Sequence, residues 1–505
     1  MTNASTSLRA LLVYTAILPL ALLIGYLMAT PTDLSSMAVV GMVLVVLSIP
    51  LMLKWHRPIL FLTWNMTAVL FFLPGRPQIW VAAAFLSFGF MVVQRMMVLD
   101  FKSISARSVT LSILFLLLVV FGTAKLTGGV GLRAFGSDVV GGKAYFWILA
   151  GALGYFAMTA YPIPPERRML YVGLFLLGAL TNAIGSSLDV LTPSFYYIFL
   201  VFPVDKLPGS GGSSISRYGG LALAAMAMFF YLLARNRLRD IVSGRKMWAL
   251  IFCVLCSLIV LGSGYRSHFI LIALVALGVF YLEGLCRTPY LVALVLGGVL
   301  AMALAVPLAR SLPMSVQRAL SILPFPVAPE ARLEAERSNE WRINMWKSVL
   351  PEVPKYLWLG KGLAVSGAEL EMTEQMGAFG ATSQFEAAAQ VGSYHNGALT
   401  VLIPFGIWGF VGWLWFVSAS MRALYLNYKY GDPDLKSVNT LLLSLFAAKI
   451  LLYFAVFGEF RVDFPTMAGI IGLGLALNGG ISKPVRGANE AISGVIPRLN
   501  ATNMD

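Results

Sequence analysis

Charge is scarce in this sequence. Asp, Glu, Lys and Arg make up only 12% of its 505 residues, against 58% hydrophobic residues. Soluble proteins carry about 25% charged residues, so a soluble globular class is excluded. Cysteine is scarcer, with three residues in all. Cys253 and Cys256 form a C-x-x-C, but inside the apolar run MWALIFCVLCSLIVLG. Redox and zinc motifs need accessible, deprotonated thiols. Both cysteines therefore read as small apolar helix residues, and neither a disulfide nor a zinc site is expected. No cleavable leader is expected: LLVYTAILPLALLIGYLMA is too long for a signal-peptide core and has no convincing cleavage site, so it reads as a retained first helix. No internal repeat, coiled coil or soluble domain is visible.

Long apolar runs are what the chain has instead. A spanning helix needs about 20 mostly apolar residues, and by that rule the sequence holds about fourteen candidates. They start near Leu8, Met37, Pro58, Ile79, Ser108, Ala144, Met169, Gly219, Met247, Ser267, Tyr290, Asn396, Val438 and Pro465. The expected fold is all-α, a polytopic membrane helix bundle. SFYYIFLVFP (194–203) is too short to span and reads as interfacial or re-entrant.

The net charge of +14 admits nucleic-acid binding or positive-inside sorting. Its distribution decides between them. Counted over alternate short loops, Lys and Arg number about 20 on one side, including Lys54, Arg57, Arg167, Arg168, Arg235 and Arg245, and about 8 on the other, including Arg76, Lys143, Arg217, Arg266 and Arg461. Both termini are therefore expected in the cytoplasm. No basic domain exists, which excludes nucleic acid as a partner.

Four regions follow: helices over 1–309, a long outward loop over 310–395, further spans over 396–481 and a cytoplasmic tail over 482–505. Loops as long as the second are usually functional. Within it PEARLEAERSNEWRINMWKSVL has the marks of a helix, with Pro329 at its start, glutamates in the first turns and Pro351 at its end.

Outward loops and intramembrane charges are where a membrane protein places chemistry. The outward loops are rich in Arg and hold no metal-ligand cluster. Each candidate taken alone favours a bland reading. Arg266 in SGYRSH suits a snorkelling interface residue, Arg342 in WRINMW a solvated helix charge, and His395 in YHNGAL a structural boundary histidine. Lys449, inside LLLSLFAAKILLYFAVF, suits a groove-lining charge and an internally paired one equally. Asp432 and Asp434 imitate a D-x-D metal motif but read as a turn. Glu459, Arg461 and Asp463 suit an interfacial salt-bridge group.

Taken together they form a pattern: Arg after an apolar helix, a long outward loop with R-x-x-x-W, then W-L-G-K-G, then H-N-x-x-L with G-x-x-G downstream. Over residues 247–415 this order resembles the O-antigen ligase/polymerase superfamily, which includes lipopolysaccharide ligases, repeat-unit polymerases and bacterial O-linked oligosaccharyltransferases. The family's S-R-G is G-Y-R-S here, and the expected helix count exceeds the ligases' usual twelve. The resemblance implies a metal-independent, cofactor-free glycosyltransferase using an undecaprenyl-pyrophosphate-linked glycan as donor and a glycan or lipid hydroxyl as acceptor. It would act on the outer face of a bacterial inner membrane, with a chain-length regulator as a further partner. It also implies Arg266, Arg342 and His395 as the catalytic positions. Guanidinium groups bind phosphate oxygens bidentately, and His is the natural base for a hydroxyl near neutral pH. Arg217, Tyr265, Trp346, Asn396 and Lys449 are expected around the substrate, and Glu386 to orient the imidazole. The extra helices lean towards a polymerase. The alternative is a transporter or flippase of lipid-linked sugars, but transporters tend to show paired broken helices in two halves, and here the polar residues crowd one side.

Overall fold

The fold is taken from a computed structural model. It describes residues 21, 25 and 34–484, except 74, 98–103, 132–138, 192–195, 208–216, 322 and 379–384. The expected first span, residues 208–216 and most of the tail lie outside the described residues. The chain divides into two compact units, Met1–Arg57 and Pro58–Asp505. The second holds every site considered below.

Of the described residues, 78% are helical. The main helices are α1 (Leu34–Thr63), α2 (Ile79–Met97), α3 (Arg107–Leu126), α4 (Gly142–Met158), α5 (Pro165–Leu191), α6 (Gly219–Arg235), α7 (Met247–Gly262), α8 (Arg266–Leu282), α9 (Tyr290–Leu308), α10 (Met314–Leu320), α11 (Pro329–Val349), α12 (Leu399–Tyr430), α13 (Lys436–Ala455) and α14 (Phe460–Asn478). Among the described residues, seven helical stretches are long and apolar enough to cross a membrane, and α6, α7 and α8 are shorter apolar helices. The spans expected from Met37 and Pro58 are not separate: Leu34–Thr63 is one helical stretch running through Pro58. The charges of Lys54 and Arg57 mimic a loop by composition, yet the helix runs through them and through Pro58, which supplies no N–H donor. The apolar segment near 194–203 contributes only the short helix Tyr196–Val201.

Helix α14 is central, buried along most of its length and packed against α4; α12 packs on α3, and α8 on α13. At the loop end of this core, Trp413 and Phe416 of α12, Tyr453 of α13, and Phe460 and Phe464 of α14 pack ring against ring. All five are less than 2% exposed. Such aromatic clusters bury large areas and prefer fixed geometries, so this one makes a stiff floor. Helix α9 is the opposite case, with no buried residue; an all-round apolar helix of this kind suits lipid contact.

Two short antiparallel pairs tie loops down: β1 (Val139–Val140) with β4 (Val365–Ser366), and β2 (Lys206–Leu207) with β3 (Arg217–Tyr218). The stronger tie is at a break in α12. Gly406 leaves the helical region there (φ 64°, ψ −165°), two residues after Pro404. The loop segment W-L-G-K-G enters this break. Lys361 and Gly362 donate backbone N–H groups to the Ile403 and Pro404 carbonyls (2.8 and 2.9 Å), and Ile407 donates to the Leu357 carbonyl at 2.6 Å. Irregular backbone at membrane depth is tolerated where protein groups satisfy it, and this strap does so. A Cβ on Gly360 (φ +84°) would lie 2.3 Å from the Pro404 carbonyl oxygen. Gly360→Val should therefore cost well over the about 1–2 kcal/mol of a strained left-handed backbone alone. A large drop in thermal stability of the detergent-solubilised protein is the expected readout.

Candidate functional site

The loop helix α11 begins at Pro329 and ends before Pro351, as its sequence requires. Its register sets what each side meets. Ala331, Glu334, Ala335, Met345 and Val349 are buried, while the half-buried Trp341, Arg342 and Trp346 flank that stripe. Trp346 donates its indole N–H to the Tyr394 carbonyl at 2.9 Å. This bond ties the backbone next to His395 to the loop helix. Asn396 likewise accepts the Leu399 N–H (3.2 Å) at the entry to α12.

His395 sits in an unusual backbone conformation, φ +49°, which non-glycine residues adopt uncommonly. Its neighbours hold it there. Tyr453 donates its hydroxyl to the Gly397 carbonyl at 2.6 Å. A side chain at Gly397 would lie 2.3 Å from the Tyr453 backbone oxygen, so H-N-G needs its glycine for close approach. The imidazole lies between the rings of Trp341 (5.2 Å) and Phe457 (4.7 Å). Its Nδ1 is buried without a hydrogen-bond partner. Burial, aided by the charges of Arg342 and Arg461, lowers its pKa to about 4. The ring is thus neutral at pH 7.

Arg342 shares His395's aromatic neighbour, with its guanidinium 5.9 Å from the centre of the Phe457 ring. Arg266 opens α8 directly after the Gly264–Tyr265 turn. Its Nη2 donates to the Ala335 carbonyl (3.4 Å) and to Asn339 Oδ1 (3.3 Å), both on α11. It lines a cavity of about 560 Å³ with Arg332, Asn339, Glu336 and Ser321. Arg342 and His395 are not among that cavity's lining residues. Arg217, on β3, places its guanidinium 5.9 Å from the centre of the Tyr265 ring.

A residue that sequence reasoning missed joins these groups. Arg318, on α10, is 3% exposed. Its Nε lies 3.2 Å from Glu334 Oε1, and its Nη1 donates to the Gly264 carbonyl at 2.8 Å. Burial, with Arg217 and Arg266 pressing on it, lowers its pKa to about 10, so it stays charged. Arg342 is lowered by burial and by Arg318 and Arg217. The arginines at 217, 266, 318 and 342 therefore sense one another, and Arg342 connects them electrostatically to His395. In MSVQRAL nothing distinguishes Arg318 from a solvated charge.

Lys449 stands apart from this group. Its Nζ is 3.7 Å from Asp463 Oδ1, which favours the internally paired reading. Arg461 pairs with Glu459. Asp432 accepts from Arg168 at 2.6 Å and caps its own turn through the Asp434 N–H, as a turn residue would. Cys253 and Cys256 are buried in α7.

Residues 251–414 match the family model for O-antigen ligase. The matched segment spans Arg266, Arg318, Glu334, Arg342 and His395. It leaves out Arg217, Phe457 and Arg461, so one ring flanking the imidazole comes from outside the match. No curated protein matches the chain. The match and the apolar helices together support a multi-pass membrane protein with a glycosyltransferase-like role in glycan transfer.

Proposed function

We propose that the protein transfers a glycan from an undecaprenyl-pyrophosphate donor to a hydroxyl acceptor at the outer face of a bacterial inner membrane, polymerising surface-polysaccharide repeat units or passing them to another acceptor. What carries this reading is the placing of a neutral imidazole beside a group of charged arginines, with His395 and Arg342 against the same Phe457 ring. Arg266 and Arg342 grip the diphosphate. The acceptor oxygen attacks the anomeric carbon, and its proton passes to His395. The bond from anomeric carbon to phosphate oxygen breaks, and the electron pair leaves with undecaprenyl pyrophosphate. Preorganised cations aimed at developing charge are the largest source of such catalysis.

The test is purified protein in lipid vesicles with a lipid-linked glycan and acceptor. A new glycosidic bond together with released undecaprenyl pyrophosphate supports the enzyme. Donor that only changes leaflet, with its bonds intact, identifies a flippase instead. In cells lacking the protein, single repeat units still attached to their acceptor indicate a polymerase, and accumulated lipid-linked polymer indicates a ligase. In this reading the arginines do the phosphate work of a metal, so EDTA should leave the initial rate unchanged.

The position of His395 also sets the pH dependence. A base works in its neutral form, and the pKa of about 4 keeps that form dominant down to acid pH. The acid limb of kcat/KM should therefore fall near pH 4 and not near the about 6.5 of an unperturbed histidine. A bound diphosphate offsets the charge of Arg342, so the limb of kcat should lie at higher pH than that of kcat/KM. Rates measured from about two pH units below that pKa up to neutral pH check both.

A further inference from the structure

In the transfer reaction above, neither Arg318 nor Glu334 has a task. We propose that Arg318, through its ion pair with Glu334, is a positioning residue that sets where Arg266 stands relative to Arg342. This rests on the functional reading just given.

The contacts form a closed circuit. Arg318 reaches the Gly264 carbonyl with one arm and Glu334 with another. Two residues after Gly264, Arg266 returns to α11 at Ala335, the residue next to Glu334. One guanidinium thus pins the turn that carries Arg266 to the helix that carries Arg342. Arg342 lies eight residues beyond Glu334, about 12 Å along the helix axis, so a tilt at Glu334 displaces it.

Stability is a poor reason for this pair. Both side chains are 4% exposed, and at such burial the desolvation of two ions offsets most of their attraction. Apolar residues of like volume would hold the loop as well. The pair supplies direction: the planar guanidinium donates to the Gly264 carbonyl while its Nε stays 3.2 Å from Glu334 Oε1, a placement that a lysine ammonium does not reproduce. Direct substrate contact is a poor reason too, because a side chain this buried presents no surface to a diphosphate.

The experiment is a double-mutant cycle on transfer rates in vesicles, using Arg318→Lys, Arg266→Ala and the two combined. Arg318→Lys alone should lower kcat/KM by about ten- to a hundredfold, the size expected when a reacting group is misplaced by about 1 Å. In the Arg266→Ala background the same change should add less than about twofold, because residues acting as one unit are not additive. Wild-type kcat/KM for Arg318→Lys overturns the proposal, as do losses that multiply in the double variant. Should Arg318→Lys fail to hold the fold in a thermal melt, Glu334→Asp is judged by the same two criteria. An Arg266→Ala protein of full activity sinks the functional reading itself, whereas an impaired Arg266→Ala beside an unaffected Arg318→Lys sinks only the positioning role.

Discussion

Replacing His395 with alanine is expected to lower kcat by about 10²- to 10⁴-fold, the range lost when a positioned general base is removed. The expectation comes from the state of the ring. It is neutral at pH 7, with its pKa near 4, and it is clamped between Trp341 and Phe457. The left-handed backbone at this position is a strained conformation kept only where the surroundings enforce it. Here they do so through the Trp346 bond to Tyr394 and the Tyr453 bond to Gly397. KM for the donor should change little, because the imidazole is assigned to the acceptor's proton and not to the diphosphate. Initial rates over a range of donor concentrations measure both. Unchanged kcat in His395→Ala would remove the base from the mechanism.

The arginines come next in size. Arg266→Lys and Arg342→Lys are each expected to cost about 10²- to 10³-fold in kcat/KM, as for the loss of one preorganised electrostatic group. The charge survives the substitution but the geometry does not. An ammonium is a point charge, whereas the guanidinium offers a planar set of donors matched to phosphate. Arg342 carries a further dependence, because its guanidinium lies near the Phe457 ring. An ammonium there keeps the cation but loses the stacking plane. A lysine variant at either position with wild-type kcat/KM would mean that charge alone is enough.

The outer-loop helix was legible because its signals are local. Pro329 fixes the first turn, glutamates crowd the start and Pro351 closes the end, so α11 needs no tertiary information. The arginines and His395 were legible as a set because their order along the chain carries the pattern. Other features needed three dimensions. Trp346 shares a helix face with Arg342 by spacing, but nothing local tells that its indole meets the Tyr394 carbonyl. Phe457 is one aromatic among many at span ends. Arg318 and Glu334 are separated by a loop, and each alone looks like a surface charge. Lys449 was evenly balanced until Asp463 appeared within 3.7 Å of it. The helix count was least legible. Hydropathy divides a chain at charges, and Lys54 and Arg57 sit inside a helix that continues past them.

The proposed reaction requires His395 and Arg342 to meet on the outer side of the membrane. Cysteines placed at 342 and 395, with the three native cysteines replaced, can be treated with a short membrane-impermeant cross-linker in intact cells. Linkage from outside, before any permeabilisation, is the predicted result. Linkage only after the membrane is opened, or none at all while each single cysteine is labelled, would contradict it.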